Sequence, residues 1–320
     1  MALSEVPAVA PVGLIGLGRM GTPIARRLLD RGFRLVVYNR TPTKSDELVA
    51  LGASRAESPA ALARAVDGGV VFTLLTDAKA VRSVLFGRKG LARGMRPGAL
   101  VVDLSTIAPE ESRAIAARLA ERGVGFVDAP LGGSTGAAAD GALLVYAGGA
   151  PEAVDRARPL LAVFARRVER LGPVGAGTSM KLVNNLLTIG NVALAAEALA
   201  LAGALGLERE RVLDLLLDGG GQSRMLADKR ESFARREYPA RFTLALAAKD
   251  LGLVDRTARG AGGATPLAHA VRRDAEAAAR GGLAEQDFSA LFESALSRFA
   301  RGPPAPAAPS TAQDGGTDGR

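Results

Sequence analysis

The sequence predicts an α/β protein with an N-terminal, doubly wound, mostly parallel sheet and an all-helical C-terminal domain. From Val12 to about Gly172, short β-type runs alternate with amphipathic helical stretches, which is typical of repeated strand–helix–strand units. After Gly177 the β-type runs stop and only helical patterns follow. The length of 320 residues also exceeds the usual size of one domain, so we expect two.

Seven short β-type runs predict the strands of the sheet. The runs are continuous rather than alternating, which fits strands that are covered by helices on both faces. They span residues 12–15, 35–38, 70–75, 99–104, 125–127, 143–147 and 167–171. Helices are predicted between them at 24–29, 109–122 and 151–164, and a proline suited to a first helical turn opens the last two.

The helical part is predicted from five patterns, of which residues 179–205 form the longest. That segment is apolar and free of proline, so we expect it to be a spine helix between the two domains. The other four patterns span 208–217, 243–259, 266–280 and 287–301. The predicted boundaries are a flexible N-terminus (1–11), a sheet domain (12–173), a helical domain (174–301) and a disordered tail (302–320) that lacks periodicity.

Three glycines follow the first predicted strand in the pattern G-x-G-x-x-G. In a Rossmann-type domain one such glycine permits the tight turn, one lets the backbone approach a pyrophosphate, and one packs the helix on the strand. The N-terminus of the next helix then presents free N–H groups to the phosphates. The loop is therefore predicted to bind a dinucleotide through Gly16, Leu17, Gly18, Arg19, Met20 and Gly21.

The end of the second predicted strand, Asn39-Arg40-Thr41, predicts which dinucleotide is bound. An acidic residue here would accept the ribose hydroxyls of NAD, whereas this chain has a neutral amide followed by an arginine. Arginine can bind a 2′-phosphate with two hydrogen bonds. We expect NADP(H) in preference to NAD(H); the alternative is that Arg40 is only an exposed residue at a strand end.

A polar cluster opens the predicted spine helix, where Lys181, Asn184 and Asn185 share one helix face. Polar groups at the start of an apolar helix are costly to bury without a purpose. Reduction of a carbonyl by hydride leaves an oxygen that needs a proton, which a positioned lysine can supply while an amide orients the substrate. The alternative is a lysine whose ammonium reaches solvent beside capping asparagines.

Composition excludes several kinds of site. The absence of cysteine excludes disulfides, thiol nucleophiles and thiolate metal sites, and the single histidine, His269, excludes histidine-based metal sites, so no metal is expected. The net charge is +8, but basic residues are interspersed with acidic ones, so nucleic acid is not expected.

No apolar run approaches the roughly 20 residues of a membrane span, and the first 11 residues lack signal-peptide features. We expect a cytoplasmic protein that does not enter membranes.

Five motifs from Val12 to about Arg301 together resemble those of the β-hydroxyacid dehydrogenase family. They are the glycine loop (16–21), the D-x-S-T segment (103–106), Asp-Ala-Pro (128–130), G-x-G-x-x-x-K-x-x-N-N (175–185) and Lys-Asp-Leu (249–251). The resemblance implies that Lys181 is the general acid/base, that Asn185 orients the substrate and that Lys249 lines the active site. It also implies a nicotinamide near Ser105 and Thr106, to which we add Leu75 and Thr76 at the end of the third predicted strand.

The segment after Asp-Ala-Pro departs from the family pattern. The family usually has a serine followed by two glycines, which hold the substrate carboxylate, whereas this chain has Gly132 at the serine position. Free N–H groups in such a loop still suit an anion. A related branch, similar to sulfolactaldehyde reductase, has an arginine where this chain has Gly133, which argues against a sulfonate. The residues expected to bind substrate are Ser105, Gly132, Gly133, Ser134, Asn184 and Lys249.

The resemblance implies an NADP-dependent oxidoreductase that transfers hydride between the cofactor and a small carboxylated aldehyde or ketone, or its hydroxyacid. It also implies a homodimer or homotetramer. Two alternatives remain open at this point. One is an imine reductase of the same architecture, although those enzymes usually lack the lysine at this position, and the other is a non-catalytic NADP-binding interaction module.

Overall fold

The computed structural model of the protein describes residues 11–300. The predicted flexible N-terminus therefore lies, apart from Pro11, outside the described residues, as does the predicted disordered tail. Nine strands are present in the described part of the chain: β1 (Val12–Ile15), β2 (Leu35–Tyr38), β3 (Ser54–Arg55), β4 (Val70–Thr73), β5 (Leu100–Asp103), β6 (Gly125–Asp128), β7 (Leu131–Gly132), β8 (Leu143–Gly148) and β9 (Ala165–Gly172).

The strands form one sheet in the order β3-β2-β1-β4-β5-β6-β8-β7, and β9 pairs with β8. The six strands from β3 to β6 are parallel, while β8 runs antiparallel to β6 and β7. This order reverses direction at β1 and is that of a Rossmann-type domain, whose ligands bind at the carboxyl ends of the strands beside that reversal. The predicted fold class is confirmed.

Thirteen α-helices cover the sheet and build the helical domain within the described residues. They are α1 (Gly21–Asp30), α2 (Asp46–Ala50), α3 (Pro59–Val66), α4 (Ala78–Phe86), α5 (Pro109–Ala120), α6 (Thr135–Asp140), α7 (Pro151–Leu161), α8 (Ala176–Ala204), α9 (Arg209–Asp218), α10 (Arg224–Arg235), α11 (Leu244–Gly260), α12 (Pro266–Ala278) and α13 (Leu291–Phe299).

Both faces of the sheet are buried at the central strands β1, β4 and β5, as the continuous apolar runs predict. Successive residues of β1 point to opposite faces, and accordingly Leu14 belongs to one hydrophobic core and Ile15 to another. In β4, Phe72 and Val71 divide in the same way. The helical domain has a third core of its own.

Helix α10 has no counterpart in the sequence prediction. Its buried residues are Leu226, Lys229 and Phe233, so a lysine interrupts the apolar stripe from which an amphipathic helix is predicted. The Lys229 ammonium is 2.7 Å from the buried carboxylate of Asp287, which makes its burial tolerable. The last predicted helix, 287–301, begins later than expected, because a 3₁₀ turn (Phe288–Ala290) precedes α13.

Helix α8 corrects one expectation. By length and composition it is apolar enough to cross a membrane, with a mean hydropathy of 1.7 over its most apolar window, whereas the sequence was expected to contain no such segment. The asparagines at 184, 185 and 191 break the uninterrupted apolar run, although the average over a longer window stays apolar. One such helix is weak evidence for a membrane, and α8 packs against β8, α10, α11 and α13.

The N-terminus of α8 is attached to the sheet by Asp128, the last residue of β6. Its carboxylate accepts hydrogen bonds from the N–H groups of Gly175 (2.8 Å) and Thr178 (2.7 Å) and from the Thr178 hydroxyl. Burial raises the pKa of Asp128 to about 6, against the opposing effect of these hydrogen bonds. A Cβ at Gly177 would overlap the Tyr146 carbonyl oxygen, so only glycine lets the first turn of α8 lie this close to β8.

Candidate functional site

The glycine loop has the geometry that a dinucleotide site requires. Gly16 has φ +105°, and a Cβ there would overlap the Leu74 carbonyl oxygen, so this glycine makes the turn. A Cβ at Gly21 would overlap the Gly16 carbonyl oxygen, so this glycine lets α1 pack closely on the loop. A Cβ at Gly18 would meet nothing within 4 Å, so the backbone is open where the phosphates approach. The loop therefore has the geometry that a bound dinucleotide requires.

Asn39 connects the glycine loop to the end of β2. Its side-chain oxygen accepts a hydrogen bond from the Leu17 N–H (3.0 Å), and its amide nitrogen donates to the Thr41 carbonyl (3.0 Å). Arg40 and Thr41 are exposed at this strand end, where the ribose of a dinucleotide lies in a Rossmann-type domain. The side chain of Asn39, which the sequence predicts beside the ribose, therefore also holds the glycine loop in place.

The ends of β4 and β5 meet through Asp103 and Ser105. The Ser105 hydroxyl donates to the fully buried Asp103 carboxylate (2.6 Å) and accepts from the Leu75 N–H (2.9 Å). Lys249 reaches this edge from α11, and its ammonium donates to the carbonyl oxygens of Thr76 (2.9 Å) and Thr106 (3.0 Å). The structure thus brings together predicted site residues from both domains.

Lys181 and Asn185 lie on one face of α8, next to Lys249 and Asp250 of α11. The Asn185 amide donates to the Asp250 carboxylate (2.6 Å), whose other oxygen is 2.9 Å from the Lys249 ammonium. Burial lowers the pKa of Lys181; the charge of Asp250 opposes this shift, and the charge of Lys249 adds to it. This arrangement can hold a proton on Lys181 that is easier to release than that of an exposed lysine.

The segment around Gly132 is connected to α8 through Tyr146, which lies beside Gly132 and whose hydroxyl donates to Asn184. Gly132 is in β7, which pairs with β8. Gly133 has φ +128°, a backbone conformation that residues other than glycine rarely adopt. Ser134 is the N-cap of α6, and its hydroxyl oxygen accepts a hydrogen bond from the Ala137 N–H (3.3 Å). Because this contact satisfies a free N–H of the helix, part of the hydrogen-bonding capacity of Ser134 is used within the loop.

Two residues of this region were not predicted from the sequence. Asp250 holds Asn185 and Lys249 together, and its only sequence signal was the Lys-Asp-Leu motif that contains it. Tyr146 of β8 donates its hydroxyl proton to Asn184 (3.3 Å) and has no motif around it. A further contact crosses the domains, because Arg19 of the glycine loop donates to the Ala240 carbonyl oxygen (2.7 Å).

Comparison with known proteins agrees with this arrangement. Residues 11–172 match the sequence model described as the NAD binding domain of 6-phosphogluconate dehydrogenase. Residues 175–295 match the one described as NAD-binding of NADP-dependent 3-hydroxyisobutyrate dehydrogenase. An NAD-dependent L-serine dehydrogenase of Pseudomonas aeruginosa is 36% identical over 287 residues, 88% of this chain and 96% of that protein.

The chain belongs to the β-hydroxyacid dehydrogenase family. Among solved structures, a 3-hydroxyisobutyrate dehydrogenase from Salmonella typhimurium is 33% identical with a TM-score of 0.80, over 88% of this chain and 98% of that one. Psf3, solved in complex with NADP+ and 2-OPP, is 31% identical with a TM-score of 0.81, over 88% of this chain and 99% of that one.

This β-hydroxyacid dehydrogenase is therefore an oxidoreductase that binds a nicotinamide cofactor and acts on small hydroxyacids or the corresponding aldehydes. Within residues 11–300, no group of three or more His, Asp or Glu side chains is close enough to hold a metal ion. His269 lies on α12, where its ring nitrogen is 3.3 Å from the buried Asp255 carboxylate. This contact within the helical domain indicates a structural role.

Proposed function

We propose that this β-hydroxyacid dehydrogenase transfers hydride between NADP(H) and a small carboxylated aldehyde or ketone, or its hydroxyacid, with Lys181 as the general acid/base. The observation that carries the proposal is the cluster of Lys181, Asn185, Lys249 and Asp250, which joins both domains at the carboxyl edge of the sheet. A nicotinamide supplies or accepts the hydride when it is bound.

The lowered pKa of Lys181 suits both directions of the reaction. In reduction, its ammonium donates a proton to the carbonyl oxygen as that oxygen gains negative charge. In oxidation, its neutral amine accepts the hydroxyl proton. Asn185 is held by the Asp250 carboxylate, so its position relative to Lys181 is constrained, and we assign it the role of orienting the substrate oxygen.

We assign the cofactor to the carboxyl edge of the sheet. The pyrophosphate would lie on the glycine loop, and Arg40 with Thr41 would bind a 2′-phosphate beside Asn39. The exposed Arg40 and the lack of a carboxylate at this strand end support NADP(H) over NAD(H). The nicotinamide side would be lined by Leu75, Thr76, Ser105, Thr106 and Lys249, which the hydrogen bonds of Lys249 and Ser105 bring together.

The substrate would lie between the Gly132 segment and the Lys181 face of α8. Backbone N–H groups of Gly132, Gly133 and Ser134 would bind its carboxylate, because successive N–H groups in a turn form a site for anions. Asn184 would complete this side of the site. A cytoplasmic location and the absence of nucleic-acid partners stay predictions of the sequence.

We also propose a homodimer or homotetramer that assembles through the helical domain. Helix α8 carries a row of exposed apolar side chains, among them Val183, Leu187 (63% exposed) and Leu194 (68% exposed). Exposed apolar surface of this extent is typical of contacts between chains. Light scattering after size-exclusion chromatography measures the assembly directly, and a monomer at micromolar concentration would contradict this proposal.

The Lys181→Ala variant tests the catalytic role. We expect kcat for semialdehyde reduction to fall about 10²–10⁴-fold, the usual contribution of a general acid, while the Kd for NADPH changes little. Lys89→Ala is a matched control, because Lys89 is exposed and outside the cluster, and it should keep wild-type kcat. If Lys181→Ala retains wild-type turnover, the mechanism is wrong.

A substrate screen separates the alternatives. NADPH oxidation is measured with glyoxylate and with succinic, malonic, methylmalonic and tartronic semialdehydes, and cyclic imines are included. Turnover of a carboxylated aldehyde supports the proposal, and turnover of imines alone would favour an imine reductase. Binding of NADPH without turnover of any compound would favour a non-catalytic module.

A further inference from the structure

The side chain of Tyr146 occupies the space beside Gly132, the residue at which this chain departs from the family pattern. At Gly132, the position at which the family usually has serine, a Cβ would lie 2.7 Å from the Tyr146 hydroxyl oxygen and 3.1 Å from its ring carbon Cζ. The two residues belong to paired strands, β7 and β8. The phenol therefore fills the space that a side chain at Gly132 would enter, and it brings a hydroxyl group to the same region.

A chain of hydrogen bonds fixes the direction in which this hydroxyl points its proton. The Asp250 carboxylate can only accept, so Asn185 must turn its NH₂ group toward it (2.6 Å). The Asn185 oxygen then accepts from the Asn184 NH₂ group (3.3 Å), and the Asn184 oxygen is left to accept from Tyr146 (3.3 Å). The single hydroxyl proton of Tyr146 is thereby committed to Asn184, and lone pairs of its oxygen remain.

The phenol remains a neutral group at neutral pH. Tyr146 is 9% exposed, and burial raises its pKa because the charged phenolate would lose hydration. Its oxygen therefore offers hydrogen-bond acceptor capacity without a negative charge. A serine at position 132 would instead have a freely rotating hydroxyl that can either donate or accept. The exchange of serine for Gly132 and a phenol changes which substrate group is favoured here.

We propose that Tyr146 is a specificity-determining residue whose oxygen accepts a hydrogen bond from a hydroxyl or ammonium group on the substrate carbon next to the reacting carbon. The inference rests on the proposed function, since it concerns the substrate of that same site. It assigns the preferred substrates to small 3-hydroxyacids that carry a hydrogen-bond donor at C2. A methyl group at C2 would leave the oxygen without a partner, which costs binding energy in a buried site.

Four acids that differ only at C2 test the inference. 3-Hydroxypropanoate has hydrogen at C2, 3-hydroxyisobutyrate has methyl, glycerate has hydroxyl, and free serine has ammonium. The kcat/KM of each is measured with NADP+ for the wild type, for Tyr146→Phe and for Tyr238→Phe. Tyr238 is the matched control, because its hydroxyl donates to Glu293 in the helical domain, outside the proposed site.

We expect the wild type to prefer an acid with a donor at C2 to 3-hydroxyisobutyrate. For the acid that carries the favoured donor, Tyr146→Phe should lower kcat/KM. The loss should be about five- to tenfold if that donor is a hydroxyl and about 10- to 100-fold if it is an ammonium. The values for the hydrogen and methyl acids should stay within about twofold. Tyr238→Phe should leave the order of the four acids unchanged.

The outcomes separate this inference from the proposed function. Turnover of the four acids with the same ratios in wild type and Tyr146→Phe overturns the role of Tyr146 and leaves the proposed function intact. An equal loss for all four acids also overturns it, because Tyr146 would then only support Asn184. If the wild type turns over none of these acids and no semialdehyde, the proposed function fails and takes the inference with it. Should Tyr146→Phe fold poorly by its melting temperature, Tyr146→Met also removes the oxygen and serves in its place.

Discussion

The substitution Gly177→Ala is expected to displace the helix that carries the proposed catalytic lysine. A Cβ at Gly177 would overlap the Tyr146 carbonyl oxygen and lie 2.6 Å from the Asp128 carbonyl oxygen. Both neighbours are backbone atoms, so no side-chain rotation can relieve the clash. Because carbon contacts are comfortable only at about 3.5 Å, α8 must move away from the sheet by about 1 Å.

The expected magnitudes follow from that displacement. Forcing an extra methyl group into a packed interior costs about 1–3 kcal/mol of unfolding free energy. For a chain of this size each kcal/mol lowers the melting temperature by about 2–4 °C. Lys181 lies one helical turn further along α8, and a misplacement of about 1 Å costs roughly 100-fold in rate. We therefore expect kcat to fall far more than the loss of stability alone would require.

The assay pairs thermal unfolding with kcat for semialdehyde reduction at a temperature where both variants are folded. Gly203→Ala, near the end of the same helix, is the matched control, since a Cβ there would meet nothing within 4 Å. Alanine favours a helix by about 0.5–1 kcal/mol over glycine, so this control should be as stable as the wild type or more so. Wild-type kcat and melting temperature in Gly177→Ala, or an equal loss in both variants, would contradict a displacement of α8.

Three further predictions concern charge. Arg40→Ala should lower the ratio of kcat/KM for NADPH to that for NADH by at least about tenfold, the effect of losing a charged hydrogen bond, and an unchanged ratio would contradict the NADP assignment. The charge of Asp250 raises the pKa of Lys181, so Asp250→Asn should move the basic limb of the pH profile of reduction to lower pH. The charge of Lys249 lowers that pKa, so Lys249→Met should move the limb to higher pH. Shifts of both variants in the same direction would contradict this assignment. Since burial raises the pKa of Asp128 from 3.8 to about 6, the folded state binds its proton more tightly, and the unfolding free energy should fall by about 3 kcal/mol as pH rises from about 4 to above 6. Asp128→Asn should lack that part of the pH dependence in chemical denaturation.

Much of the fold could be predicted from the sequence because its signals are local. The central strands β1, β2, β4 and β5 are continuous apolar runs, a pattern that follows from burial on both faces, whereas the short, exposed edge strand β3 has no such run and was missed. The glycine loop was also predictable, since the G-x-G-x-x-G spacing after a strand is itself a local signal, although the carbonyl oxygen that requires glycine at position 16 belongs to the distant Leu74. Helix α10 was missed because Lys229 occupies its buried stripe, and the charge that permits this, Asp287, is distant in sequence.

The candidate site was predictable in part for the same reason. Lys181, Asn184 and Asn185 lie within two turns of one helix, so their common face follows from helical geometry. Asp250 and Tyr146 contact them across 65 and 38 residues of chain, and no local pattern marks such contacts. The length of the spine helix was predicted closely, but its asparagines break the apolar run, and the expectation of no membrane-length apolar segment therefore overlooked a window with mean hydropathy 1.7.

The sequence by itself determined the fold class, the dinucleotide loop and the face of α8 that carries Lys181, because helix periodicity, strand periodicity and the spacing of the loop glycines are all patterns within short stretches of chain. Only the tertiary structure decided what surrounds that face. It placed Asp250 against Asn185, Lys249 across the edge of the sheet, and the phenol of Tyr146 in the space beside Gly132. Burial and hydrogen-bond direction depend on groups that meet only when the sheet and the helical domain pack together. Burial lowers the pKa of Lys181, and the hydrogen bonds from Asp250 to Tyr146 direct the Tyr146 hydroxyl proton to Asn184.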